Sequence, residues 1–207
     1  MERTMIFKRF ERFWHWCQAG LIFFLLFSGF EIHGTYHVLG FGKAAQLHEY
    51  AAYALMGLWV LAIFWHLTTG EWKQYIPTTD KLGAVAHYYL IGTFTGAEHP
   101  YRATTQAKHN PLQRLAYLGF KLLISPVIWL SGLLYLFYNQ WAGWGLSWLD
   151  LGTVATIHTA AAFAMLIFII AHVYMTTMGK TVFSMIKPMI TGYEDEHEHD
   201  EKPAKKK

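Results

Sequence analysis

Four long apolar runs constrain the fold of this chain more than any other feature. They occupy roughly residues 13–33, 50–69, 112–138 and 154–177. A helix needs about 20 mostly apolar residues to cross a bilayer, and lipid offers the backbone no hydrogen-bond partners, which favours helices. Only 15% of the residues are charged, compared with about a quarter in soluble domains. The sequence therefore predicts an all-α integral membrane protein, a bundle of four transmembrane helices.

Basic residues predict the orientation of this bundle. Four spans place both termini on the same side of the membrane. The Lys and Arg residues before the first run, between the second and third runs and at the start of the third run are Arg3, Lys8, Arg9, Arg12, Lys73, Lys81, Arg102, Lys108 and Arg114. The opposite side has little beyond Lys43. Because cytoplasmic loops carry the excess of positive charge, both termini are predicted to be cytoplasmic.

The rest of the chain is organised around these spans. Residues 1–190 are predicted to form one transmembrane domain, in which the polar cytoplasmic stretch 70–111 includes a segment, 80–94, suited to a short interfacial helix. Pro126 lies inside the third span, where it is expected to kink the helix. Residues 191–207 are charged and low in complexity, and they are predicted to be a disordered tail. No internal repeat is evident.

The cysteine count and the charge distribution exclude several classes of function. Cys17 is the only cysteine, so an intrachain disulfide, a CxxCH attachment of haem and a four-cysteine iron–sulfur site are excluded. The formal charge of +3 comes from residues beside the spans or in the tail, with no basic–aromatic motif for nucleic acid. A redox cofactor would need other ligands, and nucleic acid is not an expected partner.

Histidines within the apolar runs carry the functional signal, because ionisable side chains inside a span are costly and usually mark function. His158 and His172 lie in the fourth run, 14 residues apart. That separation is about 21 Å of helix at 1.5 Å per residue, and it returns both side chains to within about 40° of one face. One helix face thus presents an imidazole near each membrane surface.

Each of these histidines has a candidate partner at its own depth. His15 begins the first run on the cytoplasmic side, level with His172, and His48 begins the second run on the outer side, level with His158. Two imidazoles facing across a bundle form the bis-His site of a b-type haem. The sequence therefore predicts two haem b groups. No catalytic residue is predicted, because such irons have no open coordination position and transfer electrons.

The residues around the predicted ligands fit a flat macrocycle. Alanines lie three and four positions after both His48 and His158, which leaves room on the ligand face. The candidates for contact with haem propionates flank the histidine of the first run: Arg9, Arg12 and Trp14. Trp and Arg at a helix end are also ordinary membrane anchors.

His66 is an alternative ligand. It lies 18 residues after His48, about 27 Å along the same helix, and so reaches the level at which His15 pairs with His172. It competes with His15 for the iron, and otherwise it belongs to the interface or to a proton path. The residue pattern leaves both assignments open.

Four motifs occur in order: RFWHW with the following FFLLFSGFEI, then LHEYAAY, then NPLQRLAYLGFKLLISPVIWLSGLL, then HTAAAFAMLIFIIAHVYM. In these motifs, over nearly all of its membrane part, the chain resembles the di-haem cytochrome b subunits, quinone-reactive membrane anchors, of nickel–iron hydrogenases, formate dehydrogenases and thiosulfate reductases. The resemblance implies that His15 pairs with His172 and that His48 pairs with His158. It gives His66 no fixed role.

The resemblance also implies a function. Subunits of this kind pass electrons between a partner redox subunit and the membrane quinone pool, within a respiratory oxidoreductase complex of a bacterial or archaeal cytoplasmic (inner) membrane. The implied partners are an iron–sulfur or multihaem subunit, a catalytic subunit of the same complex, and menaquinone or ubiquinone. Candidates for quinone contact are Asn110, Arg114 and His66. Asn110 falls where the family places a polar residue near the cytoplasmic-side haem.

Two other functions are compatible with the residues. A free-standing di-haem cytochrome b could oxidise a small donor such as superoxide or ascorbate, and would need no catalytic subunit. A haem-free membrane anchor or proton-linked transporter could use the same histidines to carry protons. A reduced b-type spectrum separates the cytochromes from the anchor, and co-purifying redox subunits separate the two cytochromes. Whether the chain itself acts as a quinone reductase or oxidase is left open.

Overall fold

Four long helices dominate the structure. The computed structural model describes residues 3–97, 99–101, 103–105, 107–179 and 181–195. Within that part of the chain, the helical segments long and apolar enough to cross a membrane are Arg9–Ile32, Phe41–Thr69, Pro111–Leu136 and Leu151–Thr176. Outward-facing apolar side chains such as Val60 (69% exposed) and Ile167 (68% exposed) suit contact with lipid. The predicted all-α fold with four transmembrane helices is confirmed.

Shorter elements connect and flank these helices. In chain order the strands and α-helices are β1 (Arg3–Met5), α1 (Arg9–Ile32), α2 (Phe41–Thr69), α3 (Leu82–His87), α4 (Thr93–Thr95), α5 (Pro111–Gly119), α6 (Ser125–Leu136), α7 (Leu151–Thr176), α8 (Lys187–Thr191) and β2 (Tyr193–Asp195). Turns of 3₁₀ helix cover Glu71–Tyr75 and Tyr138–Gln140, and π-helical turns cover Tyr88–Gly92 and Phe120–Ile124. The short helix predicted within 80–94 is therefore present as α3, a π-helical turn and α4.

The start of α2 differs from the limit of the apolar run. The helix begins at Phe41 rather than near residue 50, directly after Gly40, whose φ of +83° is readily adopted only by glycine. Exposed polar residues, including Lys43, occupy its first turns and lower the local hydropathy without breaking the helix. His48 therefore lies about two turns inside α2, not at its first residue.

The described chain divides into two compact units, and the single transmembrane domain over residues 1–190 stays a prediction. Unit 1 contains the described residues within 1–74, 102–108 and 176–207, and unit 2 those within 75–101 and 109–175. The first two long helices thus belong to unit 1 and the last two to unit 2. Hydropathy along the chain could not indicate this division, because it depends on contacts between distant segments.

In unit 1, α1 and α2 pack against each other in antiparallel orientation. The Trp59 indole donates a hydrogen bond to Gln18 Oε1 at 2.9 Å, and the rings of Phe10 and Trp65 stack with their centroids 4.7 Å apart. Early residues of α1 therefore meet late residues of α2.

A buried carboxylate shapes the turn between these two helices. Glu31 is 2% exposed, and its Oε1 accepts backbone hydrogen bonds from Val38, Leu39 and Gly40 at 2.9, 2.5 and 2.7 Å. These N–H groups lie just before α2, at a helix N-terminus where negative charge is favoured. The end of α1 thus fixes the start of α2, and with it the position of His48.

A two-stranded sheet joins the two ends of the described chain. β1 pairs with β2 in antiparallel register, with Arg3 opposite Asp195. The sequence predicted disorder from residue 191, and Tyr193–Asp195 depart from that prediction because the N-terminal strand supplies backbone hydrogen-bond partners. Local composition cannot reveal such a distant partner. The remainder of the predicted tail, 196–207, lies outside the described residues.

In unit 2, the third span is not one continuous α-helix. α5 leads into the π-helical turn Phe120–Ile124, which leads into α6. Pro126 lies at the start of α6 and has no N–H to donate to the preceding turn, which favours a wider turn there. The departure from α geometry expected at Pro126 therefore takes the form of a π-helical turn just before it.

The helix α7 runs antiparallel to this third span. Near the end of α7, Phe168 stacks on Phe120 with ring centroids 4.8 Å apart. Near its start, His158 lies beside Ser131 of α6. The two histidines of α7 are therefore placed near opposite ends of the third span.

Candidate functional site

A serine of α1 determines the tautomer of His48. Ser28 is fully buried, and its Oγ lies 2.8 Å from the carbonyl oxygen of Phe24 and 2.9 Å from His48 Nδ1. A carbonyl oxygen can only accept, so the hydroxyl donates its proton to Phe24 and its oxygen accepts from the imidazole. Nδ1 of His48 therefore carries the proton, and Nε2 carries the lone pair that can bind a metal.

The same arrangement recurs at His158 in unit 2. Ser131 Oγ donates to the carbonyl oxygen of Val127 at 2.6 Å and lies 3.0 Å from His158 Nδ1. The carbonyl oxygen of Ile128 lies 3.1 Å from the same Nδ1. The carbonyl oxygen can only accept, and the serine hydroxyl has given its proton to Val127, so Nδ1 of His158 is protonated and Nε2 is the nitrogen suited to a metal.

A glycine follows each serine and lies against the same imidazole. A Cβ at Gly29 would lie 3.4 Å from His48 Cε1, and a Cβ at Gly132 would lie 3.0 Å from His158 Cε1. The second contact is closer than side-chain carbons normally approach, so alanine at that position would displace the ring. The His48 socket is defined as Ser28, Gly29 and His48, and the His158 socket as Ser131, Gly132 and His158.

The helices that carry these two histidines bury equivalent positions. In both, the residues four before, three after and seven after the histidine are buried, a spacing that marks one helix face. They are Ala44, Ala51 and Leu55 in α2, and Val154, Ala161 and Met165 in α7. No repeat is evident in the sequence, yet the two units contain matching histidine environments. The signal that sequence reasoning missed is the Ser-Gly pair found in both the first and third runs.

His66 has the same tautomer in a different setting. It is 8% exposed, and its Nδ1 lies 2.7 Å from the carbonyl oxygen of Ala62, which can only accept. Its ring packs edge-on against the indole of Trp14, with centroids 5.0 Å apart. His66 thus lies at the end of the α1–α2 pair where His15 begins the first span, with an Nε2 suited to a metal. His66 therefore stays a candidate ligand in place of His15.

The surroundings of His15 are aromatic and basic. Its ring packs edge-on against Trp16, with centroids 5.0 Å apart. Arg12, predicted to contact a propionate, donates from Nη1 to the carbonyl oxygen of Ile190 at 2.6 Å. Arg9, the first residue of α1, is exposed. Arg12 therefore also holds the segment around α8 against the start of α1.

A series of rings surrounds His172 in unit 2. The ring of Phe168 is nearly parallel to that of His172, with centroids 6.1 Å apart, and the ring centroid of Tyr117 lies 6.4 Å from that of His172. His109 packs edge-on against Tyr117 at 5.1 Å and stacks on Tyr75 at 5.1 Å. The rings thus run from His172 to the segment before α5. No sequence pattern predicted this series, because its members come from three separate stretches of chain, around residues 75, 109–117 and 168–172.

Asn110, a predicted quinone contact, caps helix α5. Its Oδ1 accepts from the Gln113 backbone at 2.8 Å, and the Gln113 side chain accepts from the Asn110 backbone at 2.9 Å. With Pro111 at the first helical position, this is a complete capping box. The Asn110 amide also donates to the Tyr89 hydroxyl at 3.2 Å. Burial raises the pKa of Tyr89 despite that hydrogen bond, so this hydroxyl keeps its proton at neutral pH.

Arg114, another predicted quinone contact, belongs to the same unit. Its Nε donates to the carbonyl oxygen of His109 at 3.0 Å, and its Nη1 to that of Ile76 at 3.3 Å. Asn110 and Arg114 therefore lie together at the start of α5, in unit 2. His66, the third candidate, is in unit 1.

A buried charge cluster in unit 1 was not predicted. Lys108 donates to both carboxylate oxygens of Glu11, at 2.7 and 2.9 Å, and to Glu71 at 2.9 Å. Lys8 lies 2.5 Å from Glu71. Burial alone would raise the pKa of Glu71, but the hydrogen bonds from Lys8 and Lys108 outweigh it and hold the pKa below its usual value. The cluster joins residues that are far apart in sequence, so no local pattern marks it.

Comparison with known proteins identifies the family of the chain. A family model described as prokaryotic cytochrome b561 matches residues 6–192. A protein of Escherichia coli (strain K12), "Putative cytochrome YdhU", is 32% identical over 205 residues, which cover 96% of this chain and 76% of that protein. No solved structure matches the chain. The family implies haem b and a multi-pass prokaryotic membrane protein. This chain therefore belongs to the prokaryotic cytochrome b561 family of membrane cytochromes.

Proposed function

We propose that the chain is the cytochrome b membrane subunit of a respiratory oxidoreductase complex. It transfers electrons through two bis-His b haems between a partner redox subunit and the membrane quinone pool. The observation that carries the proposal is the pair of sockets. His48 and His158 each donate Nδ1–H to a buried serine and present Nε2, as metal-ligating histidines almost always do through their second nitrogen.

Depth along the helices supports the ligand pairs His48 with His158 and His15 with His172. His48 and His158 each lie seven residues after the first residue of their helix, and His15 lies six residues after the first residue of α1. His172 lies four residues before the end of α7. His66 lies three residues before the end of α2 and is the alternative to His15.

These residues suit outer-sphere electron transfer. A haem with two protein ligands supplies one-electron chemistry without an open coordination position. The protein holds His48 and His158 in one tautomer and one orientation, and buries the small residues Ala51 and Ala161 one turn after them. Neither oxidation nor reduction of such an iron requires the histidine ligands to lose a proton.

The start of α5 is proposed as the quinone-reactive region, with Asn110, Arg114 and His66 as the candidate contacts. The rings of His109 and Tyr117 extend from this region to His172, which supports exchange of electrons with the haem at that end. Menaquinone or ubiquinone would accept or donate protons there, and His109 is a candidate relay because an imidazole can both donate and accept a proton.

The proposed location is the cytoplasmic (inner) membrane of a bacterium or archaeon, with both termini in the cytoplasm. The excess of Lys and Arg at and before the start of α1, and from the end of α2 to the start of α5, supports this orientation. The quinone-reactive region then faces the cytoplasm, and the two sockets lie toward the outer surface. The partner redox subunit would meet the chain outside the hydrocarbon.

Haem content tests the core of the proposal. The full chain, purified in mild detergent from haem-replete cells, should show a dithionite-reduced b-type spectrum and about two haems per chain, the number its two histidine pairs can ligate. His158→Ala and His172→Ala should each lose one haem, whereas a matched His37→Ala variant in the exposed turn should lose none. A chain without a b-type spectrum would refute the cytochrome function.

Two further measurements test the finer assignments. A His15→Ala variant that loses one haem, beside a His66→Ala variant that keeps both, supports His15 as the ligand, and the opposite result selects His66. Co-purification of iron–sulfur or multihaem subunits supports the complex. A lone haem protein that superoxide or ascorbate reduces directly would replace that assignment with a free-standing cytochrome.

A further inference from the structure

We infer that Ser28 and Ser131 are positioning residues that set the tautomer and ring orientation of His48 and His158, and with them the midpoint potential of a single haem. The inference rests on the proposed function, since it concerns the haem that these two histidines are proposed to share. It assigns a role to two hydroxyl groups on helices that carry neither of those histidines.

The first step concerns the hydroxyl protons. Ser28 Oγ has a second carbonyl neighbour, Leu25, at 3.3 Å, and Ser131 Oγ has one, Ile128, at 3.2 Å. Each hydroxyl is thus directed into the preceding turn of its own helix, and its oxygen faces the imidazole as an acceptor. The serines are 0% and 4% exposed, so water does not compete for these contacts.

The second step concerns the orientation of the rings. In each socket the neighbouring helix meets two adjacent ring atoms, Nδ1 through the serine and Cε1 through the glycine. In the His158 socket the Ile128 carbonyl oxygen, 3.1 Å from Nδ1, is a second acceptor. A hydrogen bond on one atom and a close contact on the next oppose rotation of the ring about its bond to Cβ. The glycine allows the approach, and the serine supplies the only directional bond of the two.

The third step concerns the iron. An imidazole that donates its Nδ1–H to an oxygen becomes a more basic ligand through Nε2. A more basic ligand stabilises the oxidised iron relative to the reduced iron, which lowers the midpoint potential. Because both socket histidines are proposed to ligate the same haem, the two serines should act on one potential and leave the other unchanged.

The test is an optical redox titration of both haems in the full chain, with low-spin electron paramagnetic resonance as a second readout. Ser28→Ala should raise the midpoint potential of one haem and shift its g values. Ser131→Ala should shift the same haem in the same direction but by less, because the Ile128 carbonyl oxygen can still accept from His158 Nδ1. Ser28→Thr and Ser131→Thr keep a hydroxyl and should retain the wild-type values. Ser125→Ala is the matched control, because Ser125 is equally buried in α6 and, among the described residues, its hydroxyl makes no hydrogen bond.

The outcomes separate this inference from the proposed function. A wild-type chain without haem refutes the proposed function itself. If both alanine variants bind two haems with unshifted midpoint potentials, the positioning role alone is overturned. The same holds if Ser125→Ala shifts a midpoint potential by as much as they do. If the two alanine variants shift the midpoint potentials of different haems, the assignment of both socket histidines to one haem is overturned. Where an alanine variant loses haem, a threonine variant that retains it at the wild-type potential supports the role, and one that loses it overturns the role.

Discussion

Replacement of Lys108 should destabilise unit 1 strongly, because this residue is the buried cation of a four-charge cluster. Its side chain is 3% exposed, and those of its partners Glu11 and Glu71 are 7% and 12% exposed. In Lys108→Met, Glu71 keeps Lys8, but Glu11 keeps only the backbone N–H of Lys8 at 2.7 Å. Glu11 then becomes a buried carboxylate without a cation within the described cluster.

The expected loss is about 3–5 kcal/mol of unfolding free energy, the range for removing one partner of a buried ion pair. A second substitution, Glu11→Gln, removes the unbalanced charge and should restore part of that loss. The matched control is Lys43→Met, an exposed lysine at the start of α2, which should change stability by less than about 0.5 kcal/mol. The assay is equilibrium unfolding in detergent micelles, followed by tryptophan fluorescence.

The pH dependence of this cluster follows from Glu71. Its folded-state pKa lies below the usual value, so its contribution to stability is present above the unfolded pKa and is lost as pH falls through the folded pKa. Without Lys108 one of the two lysines that lower this pKa is missing, so the folded-state pKa rises, the pH-dependent contribution becomes smaller, and its loss is complete at a higher pH. The reasoning would be refuted by a Lys108→Met variant as stable as the control, or by a double variant no more stable than the single one.

Three smaller predictions follow from local geometry. Gly132→Ala should cost about 1–3 kcal/mol in a thermal unfolding assay, because the added methyl group overpacks the His158 socket. Gly29→Ala should cost less, because its Cβ would lie farther from the ring; equal costs would contradict this reasoning. Asn110→Ala should cost about 1 kcal/mol through loss of the helix cap, and Asn110→Asp less, because a carboxylate still caps. If the Asn110 amide also contacts quinone, both variants should lose quinone reactivity alike, and an unchanged reaction would remove it from that site. Trp16→Phe removes the hydrogen bond from the indole to the Met189 carbonyl oxygen and should speed proteolytic release of the C-terminal segment. An unchanged rate of cleavage would contradict this.

The long helices were predictable because hydrocarbon imposes one requirement on every residue of a span. Each run must be apolar and about 20 residues long, so composition alone located all four. Their ends were less predictable, as Gly40 and Asn110 show, because a cap depends on backbone conformation and on a few hydrogen bonds. The HNPLQ motif was nevertheless readable as a capping signal, since Asn, Pro and Gln occupy the expected cap, first and third positions.

The candidate ligands were predictable, and their supports were not. A histidine inside an apolar run stands out because its burial is costly, and the 14-residue spacing of His158 and His172 follows from helix geometry. Ser28 and Ser131 gave no comparable signal, because serine is common where membrane helices pack closely. Only the contact between neighbouring helices shows that their hydroxyls meet an imidazole.

By itself, the sequence determined that this chain is a helical membrane protein with histidines at two depths, because hydropathy and helical periodicity act along a single segment. The tertiary structure decided which groups those histidines contact: a serine and a glycine for His48 and His158, a carbonyl and indoles for His66, and aromatic rings for His172. It also decided that Lys108 meets Glu11 across 97 positions. Such contacts depend on how helices and connecting segments pack, and neither local composition nor periodicity encodes a partner so distant along the chain.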